Sequence, residues 1–285
     1  MKPIRMIALD LDGTALRTDS TLSETVKQAI GTAIDAGIEI VIASGRPFGG
    51  LPEPVTSIEG ISYAVVSNGA AVYDIRTNDR IWKKPLPAEA VQTVLEMAEH
   101  TGYTLELFIE GKAYADRAYV NDPVQYGRSM QFISYVQTTR TPVEDVRCFA
   151  KAHENDFDSI ALICPDPAEK QKLMEQLRKT IPDVYVTTSG GDLIELMHKD
   201  TGKAAGLAQL ADICGITPEE TAAFGNGDND ADMLRYAAVG IAVENASSLC
   251  REAADCVVKS NDEDGTAQGI QMLLDRNRRL SDESI

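Results

Sequence analysis

Long hydrophobic runs are missing from this chain of 285 residues. No apolar stretch approaches the ~18 residues that a membrane span requires, which argues against transport or any membrane partner. Cysteine is sparse and scattered: Cys148, Cys164, Cys214, Cys250 and Cys256 include no C-x-x-C pair, and three histidines are too few to complete a zinc site. Reduced core thiols are the expectation. Positive charge is short as well, with 27 Lys and Arg against 44 Asp and Glu, a formal net charge of -17. Without a basic cluster to offset that field, the charge argues against binding to a nucleic-acid backbone. An anionic small molecule would need a local cation, from a metal, Lys or Arg. The N-terminal Met1-Lys2-Pro3-Ile4-Arg5 leads directly into an apolar strand run, unlike a signal peptide, so a cytoplasmic protein is expected.

What remains is an ordinary globular composition, 44% hydrophobic and 25% charged. The length exceeds the usual ~100 to 200 residues per domain, which points to two domains. The most informative stretch is Asp10-Leu11-Asp12-Gly13-Thr14, directly after the apolar run Ile4 to Leu9. Such a run reads as a buried parallel strand, and ligands of open α/β sheets sit beyond the strands' carboxyl ends. Residues i and i+2 share one side. The two carboxylates could therefore converge on one cation or divide the labour as nucleophile and acid/base.

Further on, Ser23 to Ala36 has helical spacing and Ile38 to Ala43 reads as a strand, giving a right-handed β-α-β unit. That second strand ends in Ser44-Gly45-Arg46, a hydroxyl and a close-approaching glycine suited to a phosphate oxygen. A third strand, Tyr63 to Ser67, ends in Asn68-Gly69-Ala70, and Ala71 to Lys84 looks like a hairpin. From about Pro85 to Thr188 the pattern becomes a mixed insert of helices and strands. After Gly190-Gly191, a candidate linker between the domains, the strand Asp192 to Met197 precedes a helix opening at Thr201-Gly202-Lys203. A lysine there opposes the helix dipole unless negative charge is near. Thr221 to Phe224 is then a buried strand that runs into Gly225-Asn226-Gly227-Asp228-Asn229-Asp230-Ala231-Asp232-Met233-Leu234, whose three aspartates within five residues invite a cation.

In this order, D-L-D-G-T, S-G-R, S-N-G-A, a helix-opening Lys and G-N-G-D-N-D-A-D-M-L resemble the haloacid dehalogenase-like superfamily, and within it the Cof-type phosphatases. The resemblance implies a doubly wound, Rossmann-like parallel-sheet core at 1–84 and 190–285, with an inserted α+β cap at 85–189. It implies Asp10 as nucleophile and Asp12 as acid/base, with Ser44, Gly45, Lys203 and Asn229 binding the transferring phosphoryl group. It also implies Mg2+ held by Asp10, the Asp12 backbone carbonyl, Asn226 and Asp230. The implied activity is hydrolysis of small phosphorylated metabolites such as sugar phosphates; a phosphomutase and a non-catalytic phosphate sensor are the alternatives.

One position departs from the pattern. Where the family usually has Asp in G-D-x-x-N-D, this chain has Asn226, an amide whose carbonyl oxygen could still reach Mg2+ with one negative charge fewer. A register using Asp228 and Asp232 would restore an acid, but Met233-Leu234 fits only the pairing of Asn226 with Asp230.

Overall fold

A computed structural model describes residues 2–181 and 183–282. In chain order, β1 is Met6–Leu9, β2 Glu39–Ala43, β3 Tyr63–Val66, β4 Ala71–Asp74 and β5 Asp79–Lys83. There follow β6 (Thr104–Ile109), β7 (Lys112–Asp116), β8 (Arg140–Val143), β9 (Phe157–Ile163), β10 (Val184–Thr187) and β11 (Leu193–His198). The last three are β12 (Thr221–Gly225), β13 (Val239–Val243) and β14 (Cys256–Val258). The chain forms two compact units: Met1–Gly45, Leu51–Trp82 and Gly202–Ile285 make one, and Arg46–Gly50 with Lys83–Thr201 make the other.

The first unit is built on one sheet of order β14-β13-β12-β1-β2-β3-β4-β5. The six strands from β14 to β3 run parallel, while β4 returns antiparallel to β3. Both faces are covered, which is why β1 is apolar throughout. Met6 and Ala8 face a cluster with Leu207, Leu210 and Met233. On the chain's other helical layer, Ser23 caps the helix Glu24–Asp35, its hydroxyl accepting from Val26 N, and this helix packs against Gly265–Asp282. Reading outward from β1, the order β3-β2-β1-β12-β13-β14 is that of a doubly wound sheet. Its topological switch point falls between β1 and β12, the place where sheets of this kind bind ligands beyond the carboxyl ends of the strands.

The second unit has a six-stranded sheet of order β10-β11-β9-β6-β7-β8. Leu105 and Leu107 of β6 pack on the helices Ala88–Thr101 and Pro167–Thr180. The opposite side of the strand carries Glu106 and Phe108 toward the short helices Arg117–Asn121 and Ile133–Thr139. There the buried Glu106 accepts from Arg140 Nη2 and from the Tyr119 hydroxyl, each at 2.5 Å. Burial alone would raise the Glu106 carboxyl, but the Arg140 and Arg128 guanidiniums outweigh it and hold it below its ordinary range.

Three sequence expectations are corrected. The strand Leu193–His198 belongs to the second unit, because it pairs antiparallel with β9 and β10, so that unit extends to Thr201 instead of ending at residue 189. Gly190-Gly191 accordingly lies in the turn between β10 and β11, and the Lys170 ammonium donates to both glycine carbonyls and to Thr188 Oγ1. It is not a linker between units. The five cysteines are free thiols, but Cys148 is exposed and only Cys164 and Cys250 are fully buried. No helix among the described residues is long and apolar enough to cross a membrane.

Candidate active site

Parallel pairing extends β1 by one residue, with Asp10 N donating to Phe224 O at 3.1 Å, and delivers the Asp10 carboxylate to the switch point. The chain then turns sharply at Gly13, where φ is +79° and a Cβ would stand 2.6 Å from Asn226 Nδ2. Glycine is required both by that backbone and by that close approach. The turn is fastened at several points: Asn245 Nδ2 donates to Gly13 O at 2.7 Å, Thr266 Oγ1 to Thr14 O at 2.9 Å and Asn261 Nδ2 to Leu16 O at 3.0 Å. Asp10 is thereby buried and Asp12 left exposed, two environments for two carboxylates.

Lys203 joins the pieces. Its fully buried ammonium donates to Asp10 Oδ1 at 2.6 Å and to Asp230 Oδ1 at 2.5 Å. That explains a lysine in a helix's first turn, since two carboxylates surround it. The helix start has its own anion too, because Ala204 N donates to Asp232 Oδ2 at 3.2 Å. One ammonium shared by two buried carboxylates leaves the cluster short of positive charge. Burial, and then the Asp230 charge, push Asp10 up to about 7 against the pull of Lys203. Burial would lower Lys203, yet the charges of Asp10 and Asp230 hold it above its ordinary value, so it stays an ammonium.

Asp230 accepts on both of its carboxylate oxygens. Its Oδ1 accepts from Lys203, and its Oδ2 accepts from the backbone N–H groups of Asn226 and Gly227, both at 2.8 Å. With both oxygens accepting from protein donors, Asp230 braces the loop against the Lys203 ammonium. Asp232 likewise accepts from Ala204 N and from Met233 N. Asn226 lies over the D-x-D-G-T turn, with its Oδ1 accepting from the Thr14 hydroxyl at 3.0 Å.

The described residues contain no group of three or more His, Cys, Asp or Glu side chains poised for a metal. A Mg2+ site here must therefore mix carboxylate with backbone, amide and water oxygens, a donor set that a hard, strongly hydrated cation accepts. The residues fit on that footing: Asp10, the Asp12 carbonyl and Asn226 Oδ1 are oxygen donors, and the raised Asp10 carboxyl marks a deficit of positive charge that a divalent cation would relieve.

Among the expected phosphate binders, Ser44 is buried at the end of β2, with its carbonyl accepting from Asn68 N at 3.1 Å, and Gly45 follows it half-buried. Asn229 is buried and its Nδ2 donates to Asn68 Oδ1 at 2.8 Å. Sequence reading did not assign roles to Asn68, Thr14, Asn245, Asn261 or Thr266. Only Asn68 carried a signal, an N-G pair at a strand's carboxyl end.

A family model described as haloacid dehalogenase-like hydrolase matches residues 7–270. The chain belongs to this family. It is similar to the putative phosphatase YxeH of Bacillus subtilis (26% identical over 277 residues, 95% of this chain and 98% of that protein). It is also similar to the 5-amino-6-(5-phospho-D-ribitylamino)uracil phosphatase YcsE of the same organism (25% over 268 residues, covering 94% and 95%). Among solved structures, a haloacid dehalogenase-like hydrolase from B. subtilis superposes with a TM-score of 0.79 at 25% identity, covering 94% of this chain and 99% of that one. A sugar phosphatase of HAD subclass IIB shares the fold, with a TM-score of 0.78 at 22% identity over 94% of this chain and 98% of that one.

Proposed function

We propose that this hydrolase, a phosphoric monoester hydrolase, is a Mg2+-dependent phosphatase of small phosphorylated metabolites, sugar or polyol phosphates foremost, working through an aspartyl-phosphate on Asp10. The observation that carries the reading is the buried Lys203 ammonium bonded to Asp10 Oδ1 at the switch point of the sheet. It supplies a local cation inside a chain of net charge -17, as an anionic substrate demands. Relatives whose names specify a phosphorylated ribityl chain support the polyol or sugar phosphate class.

In the first step a carboxylate oxygen of Asp10 attacks phosphorus in line as the ester P–O bond breaks, and Asp12 gives its proton to the departing alkoxide oxygen. In the second, water attacks the phosphorus, Asp12 takes a proton from it, and the P–O bond to Asp10 breaks to release inorganic phosphate. Exposure of Asp12 suits both transfers, because its proton is delivered and then recovered at the solvent side. Lys203, the Ser44 hydroxyl, the Gly45 N–H and the Asn229 amide bind the equatorial phosphoryl oxygens, where transition-state charge collects. Asp230 holds Lys203 and the Asn226-Gly227 backbone in place. Bound Mg2+, held by Asp10, the Asp12 carbonyl and Asn226, would screen carboxylate from phosphate. A screen of phosphorylated metabolites with and without Mg2+ tests the reading; no hydrolysis of any of them would refute it.

A further inference from the structure

Beside the strand ends that carry Ser44 and Asn229 lies Ser67-Asn68-Gly69, the turn by which the chain leaves β3. All three residues have left-handed backbone, with φ of 49° at Ser67, 52° at Asn68 and 88° at Gly69. For two residues with side chains in succession this is uncommon and costly, and such conformations persist only where the surroundings impose them. The surroundings here are tight. A Cβ at Gly69 would lie 1.9 Å from Gly202 O, and one at Gly206 would lie 2.9 Å from Gly69 Cα, so the turn is pressed onto the start of the helix that carries Lys203.

Asn68 is 1% exposed and touches both neighbouring loops. Its N–H donates to Ser44 O at 3.1 Å, and its side-chain oxygen accepts from Asn229 Nδ2 at 2.8 Å. With Asn68 presenting its oxygen, the second bond sets which way the Asn229 amide faces. An amide can present nitrogen or oxygen by turning over, and only the nitrogen satisfies an acceptor. In the observed orientation Asn229 Oδ1 packs over Gly227, 2.4 Å from where a Cβ would be. One N–H is held by Asn68, and the other is left to donate. A turned-over amide would offer a carbonyl oxygen to the phosphoryl group, which is itself an acceptor.

We propose that Asn68 is a positioning residue for phosphoryl transfer: its side-chain oxygen locks the Asn229 amide in the donor orientation, and its strained turn is held against the Lys203 helix to place that oxygen. The proposal rests on Asn229 meeting a phosphoryl oxygen, as in the function proposed above. Asn68→Gly removes the acceptor while accepting the left-handed backbone without strain. The test is kcat/KM for p-nitrophenyl phosphate with Mg2+, and the Kd of inorganic phosphate by calorimetry, in the parent, Asn68→Gly, Asn229→Ala and the double variant. Asn68→Gly should lower kcat/KM about 10- to 100-fold and weaken phosphate binding, as expected for disturbing a hydrogen bond to a charged group. In the Asn229→Ala background the same change should cost less than about twofold, because the residue it acts through is gone. An equal cost in both backgrounds would overturn the proposal while hydrolysis by the parent left the phosphatase reading standing. A parent that neither hydrolyses the ester nor binds phosphate would overturn both. The parent alone gives a second readout by NMR: added phosphate should shift one Asn229 side-chain amide proton and spare its geminal partner on Asn68, and no shift in either would also overturn the proposal.

Discussion

Asp230→Asn separates a brace from a metal ligand. The change keeps the shape of the side chain but replaces one oxygen by an NH2 group, which must face either the Lys203 ammonium or the N–H groups of Asn226 and Gly227. Both choices set donor against donor. Lys203, buried completely, would keep only Asp10 as counter-charge. Breaking one side of a buried pair costs about 3 to 5 kcal/mol, and for a unit of this size each kcal/mol moves the melting temperature by about 2 to 4 °C. The expected fall is therefore about 6 to 20 °C, present in EDTA as fully as in Mg2+, because the lost interactions are within the protein. Differential scanning fluorimetry in the two buffers reads it directly. A variant that melts like the parent in EDTA, but needs more Mg2+ for stabilisation, would show that Asp230 binds metal and that the brace assignment is wrong.

Asn226→Asp should lower the Mg2+ concentration at half-saturation, measured by calorimetry, because a carboxylate replaces an amide among the oxygen donors; an unmoved titration would take Asn226 out of the ligand set. Turnover could fall in that variant even as metal tightens, since the new charge repels substrate phosphate. Mutating Asp12 to Asn should slow hydrolysis of a sugar phosphate by about 10²- to 10⁴-fold with Mg2+ affinity kept, and loss of metal binding instead would reassign it. The pH dependence of the second unit turns on Glu106, whose folded pKa is lowered. Its stabilisation is complete above about pH 4.3, the unfolded value, and is lost as pH falls through the lowered folded value. Glu106→Gln should thus melt lower at neutral pH and lose less on acidification; equal acid sensitivity in thermal melts would contradict the ion-pair account.

Much of the architecture could be read in advance because β1, β2 and β12 are buried on both faces, so composition alone marks them, and because their ends carry Gly or Asp turns. The strand Leu193–His198 was assigned to the wrong unit for the same reason: an apolar strand is equally at home in either sheet, and only its antiparallel pairing with β9 decides. The helices Arg117–Asn121, Ile133–Thr139 and Val146–Lys151 are too short to show a period. At the site, residue types showed which carboxylates gather but not what satisfies them. The resemblance implied Asp230 as a ligand, and only the donors around its two oxygens show that it also braces the loop. Asn68 was visible as a turn residue, whereas its bond to Asn229, across 161 positions of sequence, was not.

The central claim is that Asp10 carries the phosphoryl group. In an Asp12→Asn variant given p-nitrophenyl phosphate and Mg2+, the leaving group needs no proton and the first step should proceed, while water attack, deprived of its base, should stall. Stopped-flow absorbance should then show a burst of one p-nitrophenolate per active site, and acid quench followed by peptide mass spectrometry should find the phosphoryl group on Asp10. Release without a burst and with no phosphorylated peptide, or ordinary turnover by an Asp10→Asn variant, would contradict the account.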